Sequence, residues 1–193
     1  AWTEIQSDGS RDIRAAVFDG VQWSALGTSL GASGLSATGG ADNARAITTN
    51  AGVVVSWLDA GGQVQLRRFD GAAWVDVAGS TLASGITQSA TPVEAYDLAT
   101  DGDRIAVAWT ATSGGVAQVF AREWSGSGWD AIAGSASVGG ISSSAGESVE
   151  QSVAGASIGG EGFGGRAVGG EVGEIGDAAD VEQKAVFAFF GKE

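Results

Sequence analysis

The sequence has no cysteine, no histidine and no methionine, and a single proline, Pro92. Without cysteine there are neither disulfides nor thiolate metal sites, and thiol usage gives no indication of compartment. Without histidine the chain lacks the usual general base near neutral pH and the commonest transition-metal ligand. That argues against zinc, copper and haem, and leaves only carboxylates for acid–base work. Basic residues are scarce: ten Lys and Arg stand against 23 Asp and Glu, for a net charge of −13. A field of that sign repels phosphate backbones, so nucleic acid is not an expected partner. No stretch approaches the roughly 18 apolar residues of a membrane helix, so no membrane insertion is expected. The lack of methionine extends to the first residue, Ala1, and the expectation is a processed terminus or a piece of a longer protein, the second being favoured.

Glycine is what the chain has in quantity, 33 residues, alongside 44% hydrophobic residues. That combination indicates many tight turns in a folded all-β protein rather than disorder. Self-similarity then gives the architecture. Phe18-Asp19-Gly20-Val21-Gln22-Trp23 recurs as Phe69-Asp70-Gly71-Ala72-Ala73-Trp74 and, more loosely, as Trp124-Ser125-Gly126-Ser127-Gly128-Trp129. Downstream of each copy comes a Gly/Ser-rich link, Gly27 to Ser36, Gly79 to Thr87 and Gly134 to Ser142. Upstream lies a tryptophan, at Trp2, Trp57 and Trp109. Three landmarks in one register define a tandem repeat, and a period near 50 residues lies in the range of propeller blades.

Each repeat reads as four strands. Val53, Val55 and Trp57 alternate with Val54 and Ser56, and Ile105, Val107 and Trp109 with Ala106 and Ala108, the period of two expected of a sheet. A second strand leads into the aromatic (13–18, 64–69, 119–124), and the Asp-Gly or Ser-Gly after it predicts a tight hairpin. A third strand returns from Trp23, Trp74 or Trp129, and a fourth is expected around 44–49, 93–99 and 152–158. The expectation is therefore an all-β, β-propeller-like chain of four-stranded antiparallel blade units. Three repeats (about 1–56, 57–108 and 109–155) are followed by a divergent Gly-rich segment, 156–193. The segment is read either as part of a fourth unit, with Val186-Phe187-Ala188 echoing Val119-Phe120-Ala121, or as an acidic linker with a closing strand.

The stretch from Glu123-Trp124-Ser125-Gly126-Ser127-Gly128-Trp129 through Gly134-Ser135-Ala136-Ser137-Val138-Gly139-Gly140-Ile141-Ser142 resembles a repeat of very large bacterial secreted and surface-attached proteins. In that repeat a W-x-G-x-x-W hairpin precedes GSASGGGIS and a strand ending VVAW. Residues 104–148 match best, 53–90 less well and 1–37 weakly, and the match ends near 155. The family's PSLAVD-x-x-G-x-P segment has Val93-Glu94-Ala95-Tyr96-Asp97-Leu98 and Ala44-Arg45-Ala46-Ile47 as its counterparts, so its second proline and its Asp are not kept. The resemblance implies an extracellular or cell-surface, propeller-like module of adhesins and matrix proteins, often beside calcium-binding modules.

Trp23, Trp74 and Trp129 are the foremost candidates for ligand binding, because an indole face suits the apolar face of a sugar; the competing reading is packing between blades. Trp2, Trp57 and Trp109 are expected in the core. Asp101 and Asp103, flanking Gly102, and the acids Glu147, Glu150, Glu161, Glu171 and Glu174 could ligate calcium, although no EF-hand loop or nonapeptide calcium motif is present. Turn formation accounts equally for the first pair. A carboxylate glycosidase needs two acids about 5–10 Å apart; Asp59, Asp97 and Asp130 are the nominees, and nothing marks out a pair. The functional expectation is a non-catalytic adhesion or assembly module. A lectin-like glycan binder and a carboxylate-dependent glycan hydrolase are the alternatives. Since three or four blades are few for a closed ring, either adjacent repeats of a longer chain or self-association is expected to complete it.

Overall fold

The computed structural model describes residues 1–142 and the backbone of two short strands, 151–153 and 185–187; the Gly-rich 159–176 segment and the five candidate glutamates lie outside the described residues. The fold is all-β. Strands β1 (Trp2–Ile5) and β2 (Arg11–Arg14) form one antiparallel ladder, and β3 (Ala16–Phe18) and β4 (Trp23–Ala25) another. Two four-stranded antiparallel meanders follow. The first holds β5 (Asp42–Thr49), β6 (Gly52–Leu58), β7 (Val64–Phe69) and β8 (Trp74–Asp76); the second holds β9 (Val93–Asp101), β10 (Arg104–Ser113), β11 (Val116–Trp124) and β12 (Trp129–Ala131). β13 (Gln151–Val153) pairs in parallel with β14 (Ala185–Phe187). Among the described residues no helix is long and apolar enough to cross a membrane.

All four expected strand types are present, but pairing groups them differently from the sequence units. The strand after each Gly/Ser link opens the next sheet: β5 pairs with β6 and β9 with β10. Sequence boundaries at 56/57 and 108/109 therefore fall inside β6 and β10, and the sheets run 42–76 and 93–131. The two N-terminal ladders, each a two-stranded sheet, together take the place of a first blade, called the first sheet below. Only Ala15 separates β2 from β3, where the later sheets have one strand, and no described strand pairs with β1 as β5 does with β6 and β9 with β10. β1 consequently pairs on one side only among the described strands.

The period of two in the tryptophan strands sends alternate residues into two different cores. Val55 and Trp57 pack with Ile13, Ala15, Leu35 and Ala41 between the first and second sheets. Val54, between them in sequence, joins Val64, Leu66, Ile105, Val107 and Trp109 between the second and third. A central strand buried on both faces carries no polar face, and Ser56, fully buried, is tolerated because its hydroxyl meets the Tyr96 hydroxyl at 3.0 Å. The Gly/Ser links tie each sheet to itself by one repeated set of bonds. Ser29, Ser80 and Ser135 donate through Oγ to the carbonyls of Ala15, Leu66 and Ala121 at 2.5, 2.6 and 2.7 Å. The Leu35, Ile86 and Ile141 N–H groups donate to the carbonyls of Ile13, Val64 and Val119 at 2.7, 2.8 and 2.7 Å. Gly34, Gly85 and Gly140 precede those N–H groups at φ 57°, 55° and 59°, and a Cβ on any of them would collide with the same three carbonyl oxygens.

Candidate functional site

The first two of the three hairpins that present the tryptophans close in the same way. Asp19 Oδ1 accepts the Val21 and Gln22 N–H groups, both at 2.8 Å, and Asp70 Oδ1 those of Ala72 and Ala73, both at 2.9 Å. Gly20, Gly71 and Gly126 take φ of 100°, 100° and 112°, a region open to glycine alone at low cost. The backbone N–H groups, that of Gln22 foremost for Asp19 and that of Ala73 for Asp70, hold both carboxyls below their ordinary value despite full exposure. Across the first two hairpins the aromatics pair, Phe18 with Trp23 at 5.3 Å between ring centroids and Phe69 with Trp74 at 5.4 Å.

From there the three tryptophans diverge. The Trp74 indole Nε1 donates to the carbonyl of Leu26 at 2.8 Å, and that of Trp129 to the carbonyl of Val77 at 2.9 Å. Leu26 and Val77 occupy one repeat position, three residues past the hairpin tryptophan of the preceding sheet, so each bond clasps a sheet to its predecessor. Phe69 and Trp74 close over Gly27, where an added Cβ would lie 2.7 Å from Phe69 Cε2 and 3.3 Å from Trp74 Cδ1. Trp23 stands at the same position of the first of the described sheets and makes no such clasp among the described residues. It is 71% exposed and, with Ala1, Trp2, Ala16 and Leu30, lines a cavity of about 440 Å³.

Other bonds reinforce the sheet-to-sheet joints. Tyr96 of β9 reaches into the second sheet, its hydroxyl donating to the carbonyl of Asn43 at 2.6 Å and meeting Ser56, and its burial pushes the phenol's pKa up. The Arg68 guanidinium lies 5.4 Å from the Trp124 ring centroid, and Arg11 pairs with Asp42 across the first joint at 2.5 Å. Asp103, one of the two calcium candidates, accepts the Ala51 N–H at 2.7 Å and so docks the β9–β10 turn onto the β5–β6 turn; Asp101 ends β9 beside it. Among the described residues no three acids gather where a metal ion could be held.

The three nominated hydrolase acids are not brought together. Asp59 caps its own turn, accepting the Gly61 and Gln63 N–H groups at 2.9 Å each. Asp97 lies on β9 and Asp130 on β12, the opposite edges of one four-stranded sheet. At a strand spacing of about 4.8 Å those edges are roughly 14 Å apart. Trp57 and Trp109, expected in the core, are each 2% exposed, whereas Trp2, expected there too, is 42% exposed, because no described strand covers the far side of β1. Two equivalent clefts of about 230 and 250 Å³ flank them, one lined by Trp57, Asp59 and Arg67, the other by Trp109, Phe120 and Arg122. Burial lowers the Arg122 guanidinium from its ordinary value, and the nearby Asp130 charge opposes that shift.

What the sequence reading missed are the clasp acceptors. They are main-chain carbonyls, and their only sequence signal is an aliphatic or alanine-sized pair three and four residues after each tryptophan: Leu26-Gly27, Val77-Ala78 and Ile132-Ala133. Comparison of the chain with family models, with curated proteins and with solved structures gave no match.

Proposed function

We propose that the chain is a non-catalytic structural and binding module of a bacterial secreted or cell-surface protein, a propeller-like run of sheets that serves adhesion or assembly. The observation that carries this reading is the recurrence of one clasp. The hairpin tryptophan, the residue type best suited to stack on a sugar, is engaged in holding sheets together in two of its three occurrences, Trp74 and Trp129. The extracellular setting rests on the resemblance of residues 104–148 to repeats of large bacterial surface proteins. Calcium, if the parent protein uses it, belongs with neighbouring modules in this reading, because Asp103 is engaged within the fold.

One observation favours a lectin-like reading: the exposed Phe18–Trp23 pair beside Trp2, an aromatic surface open to a surface glycan. Tryptophan fluorescence titrated with a broad saccharide and polysaccharide panel, with product analysis on the same panel, separates the readings. The structural module gives neither quenching nor turnover. Quenching abolished by Trp23→Ala would establish the lectin, and turnover lost on replacing Asp59, Asp97 or Asp130 would establish the hydrolase.

A further inference from the structure

We infer that the two clefts between successive sheets bind a small monocarboxylate with a second acceptor oxygen beside the carboxylate, an α-hydroxy acid in its simplest form. Arg67 and Arg122 take the carboxylate, and the indole N–H groups of Trp57 and Trp109 donate to the second oxygen. The inference goes beyond the structural-module reading and does not depend on it.

Strand pairing builds both clefts alike. Trp57 of β6 stands opposite Gln65 of β7, and Trp109 of β10 opposite Phe120 of β11. Arg67 and Arg122 lie two residues further on, hence on the tryptophan's face of the sheet and at the diagonal position that a long side chain spans. That face packs against the preceding sheet, whose Gly/Ser link supplies each cleft with a hydroxyl pair, Ser36 and Thr38 in one, Thr87 and Ser89 in the other. The clefts hold about 230 and 250 Å³, less than the roughly 300–1,000 Å³ of pockets that enclose a drug-sized molecule, so a ligand of few atoms fits.

Two independent observations point to an anionic acceptor. Trp57 and Trp109 are each 2% exposed, and Nε1 of each is buried with no hydrogen-bond acceptor among the described residues, as is Nε of Arg122. A buried donor left unmatched is destabilising, yet the same donor is left so at the same place in two repeats. The arginines give the second observation. Arg11, Arg14, Arg45 and Arg104 each pair with a carboxylate, and Arg68 lies over Trp124. Arg67 and Arg122 make no ion pair among the described residues, in a chain with 23 acids to ten bases. Asp59 lines the Arg67 cleft, but its oxygens are taken by the Gly61 and Gln63 N–H groups and by the Gln65 amide at 2.8 Å.

The donor set selects the ligand. A guanidinium matches the two oxygens of a planar carboxylate. One positive charge per cleft, in a chain of net −13, balances a monoanion better than a phosphate dianion. The indole only donates, so the group beside the carboxylate must offer a lone pair, as a hydroxyl or carbonyl oxygen does.

The test follows the indole N–H cross-peaks of the whole isotope-labelled chain in two-dimensional NMR, with the peaks of interest assigned by Trp57→Phe and Trp109→Phe. Lactate, a free hydroxy acid, and N-acetylglycine, which presents its carboxylate as a peptide end does, are the probes; lactamide, propionate and inorganic phosphate are the controls. At least one probe is expected to shift both peaks saturably, the tighter one naming the source. Lactamide should shift neither peak, and propionate and phosphate should bind about tenfold more weakly. Arg67→Gln is expected to weaken binding about tenfold or more at the Trp57 peak alone, and Arg122→Gln at the Trp109 peak alone; the unaltered cleft of each variant reports that it is folded. Absence of saturable shifts with both probes, equal shifts with lactamide, or shifts indifferent to the arginine variants would overturn the sites, and phosphate binding as tight as lactate would overturn the carboxylate assignment. Silence of both peaks leaves the structural reading standing, whereas that reading falls to Trp23-dependent quenching by saccharides.

Discussion

At the scale of single residues, Trp129 and Trp23 stand at one repeat site with different tasks, and substitution separates them. Trp129→Phe keeps the ring and removes the bond to Val77, so a loss of about 1 kcal/mol in denaturant unfolding is expected; Trp23→Phe, with no bond to lose, should leave unfolding of the monomer unchanged. Tyr96→Phe strands the Asn43 carbonyl and the Ser56 hydroxyl in a buried joint and is expected to cost about 1–3 kcal/mol in the same experiment. Gly85→Ala meets two obstacles, a left-handed φ and the Val64 carbonyl in the path of its Cβ. The conformational term alone is worth about 1–2 kcal/mol, and the collision with backbone adds to it, so a larger fall in the unfolding midpoint is expected than for the same change at Gly71, where a Cβ meets open space.

At the scale of elements, the hairpins give the fold a defined response to acid. The Asp19 and Asp70 carboxyls sit below their ordinary value because backbone N–H groups bind the ionised form, and Asp76 does too, burial being outweighed by bonds from the Thr81 hydroxyl and the Gly79 and Thr81 N–H groups. A group depressed in the folded state contributes stability above its unfolded pKa of about 3.9 and loses it as pH falls through the lower folded value. Unfolding free energy should therefore fall below about pH 4, and Asp70→Asn, which keeps an acceptor but no longer titrates there, should flatten that acid arm in a pH series of urea melts. The third hairpin, with Ser125, contributes nothing to it. These hairpins were legible in sequence because the Asp-Gly turn and the tryptophan are local signals, and the period of two placed β6 to within a residue at each end and the start of β10, which runs on to Ser113. The grouping of strands was not legible: which neighbour β5 and β9 join is decided by pairing across a turn that the cyclic repeat leaves open at any phase. Nor were the clasps, since their acceptors are carbonyls that any residue supplies, and Tyr96 became a joint residue only once β9 lay against β5.

At the scale of the whole molecule, a run of sheets that touch only their neighbours has a stability close to the sum of its sheets and joints. Net charge works against that sum. With −13 on the chain, like charges repel one another over the Debye length, about 10 Å in 0.1 M salt and about 3 Å in 1 M. The clasps that hold the joints contain an indole, a carbonyl and aliphatic side chains, so salt has little there to weaken. The melting temperature is therefore expected to rise between 0.05 and ~1 M sodium chloride, followed by circular dichroism at fixed protein concentration. A melting temperature that falls with salt would point instead to ion pairs across the joints, of the kind Arg11 and Asp42 make, and would remove the clasps from their central place.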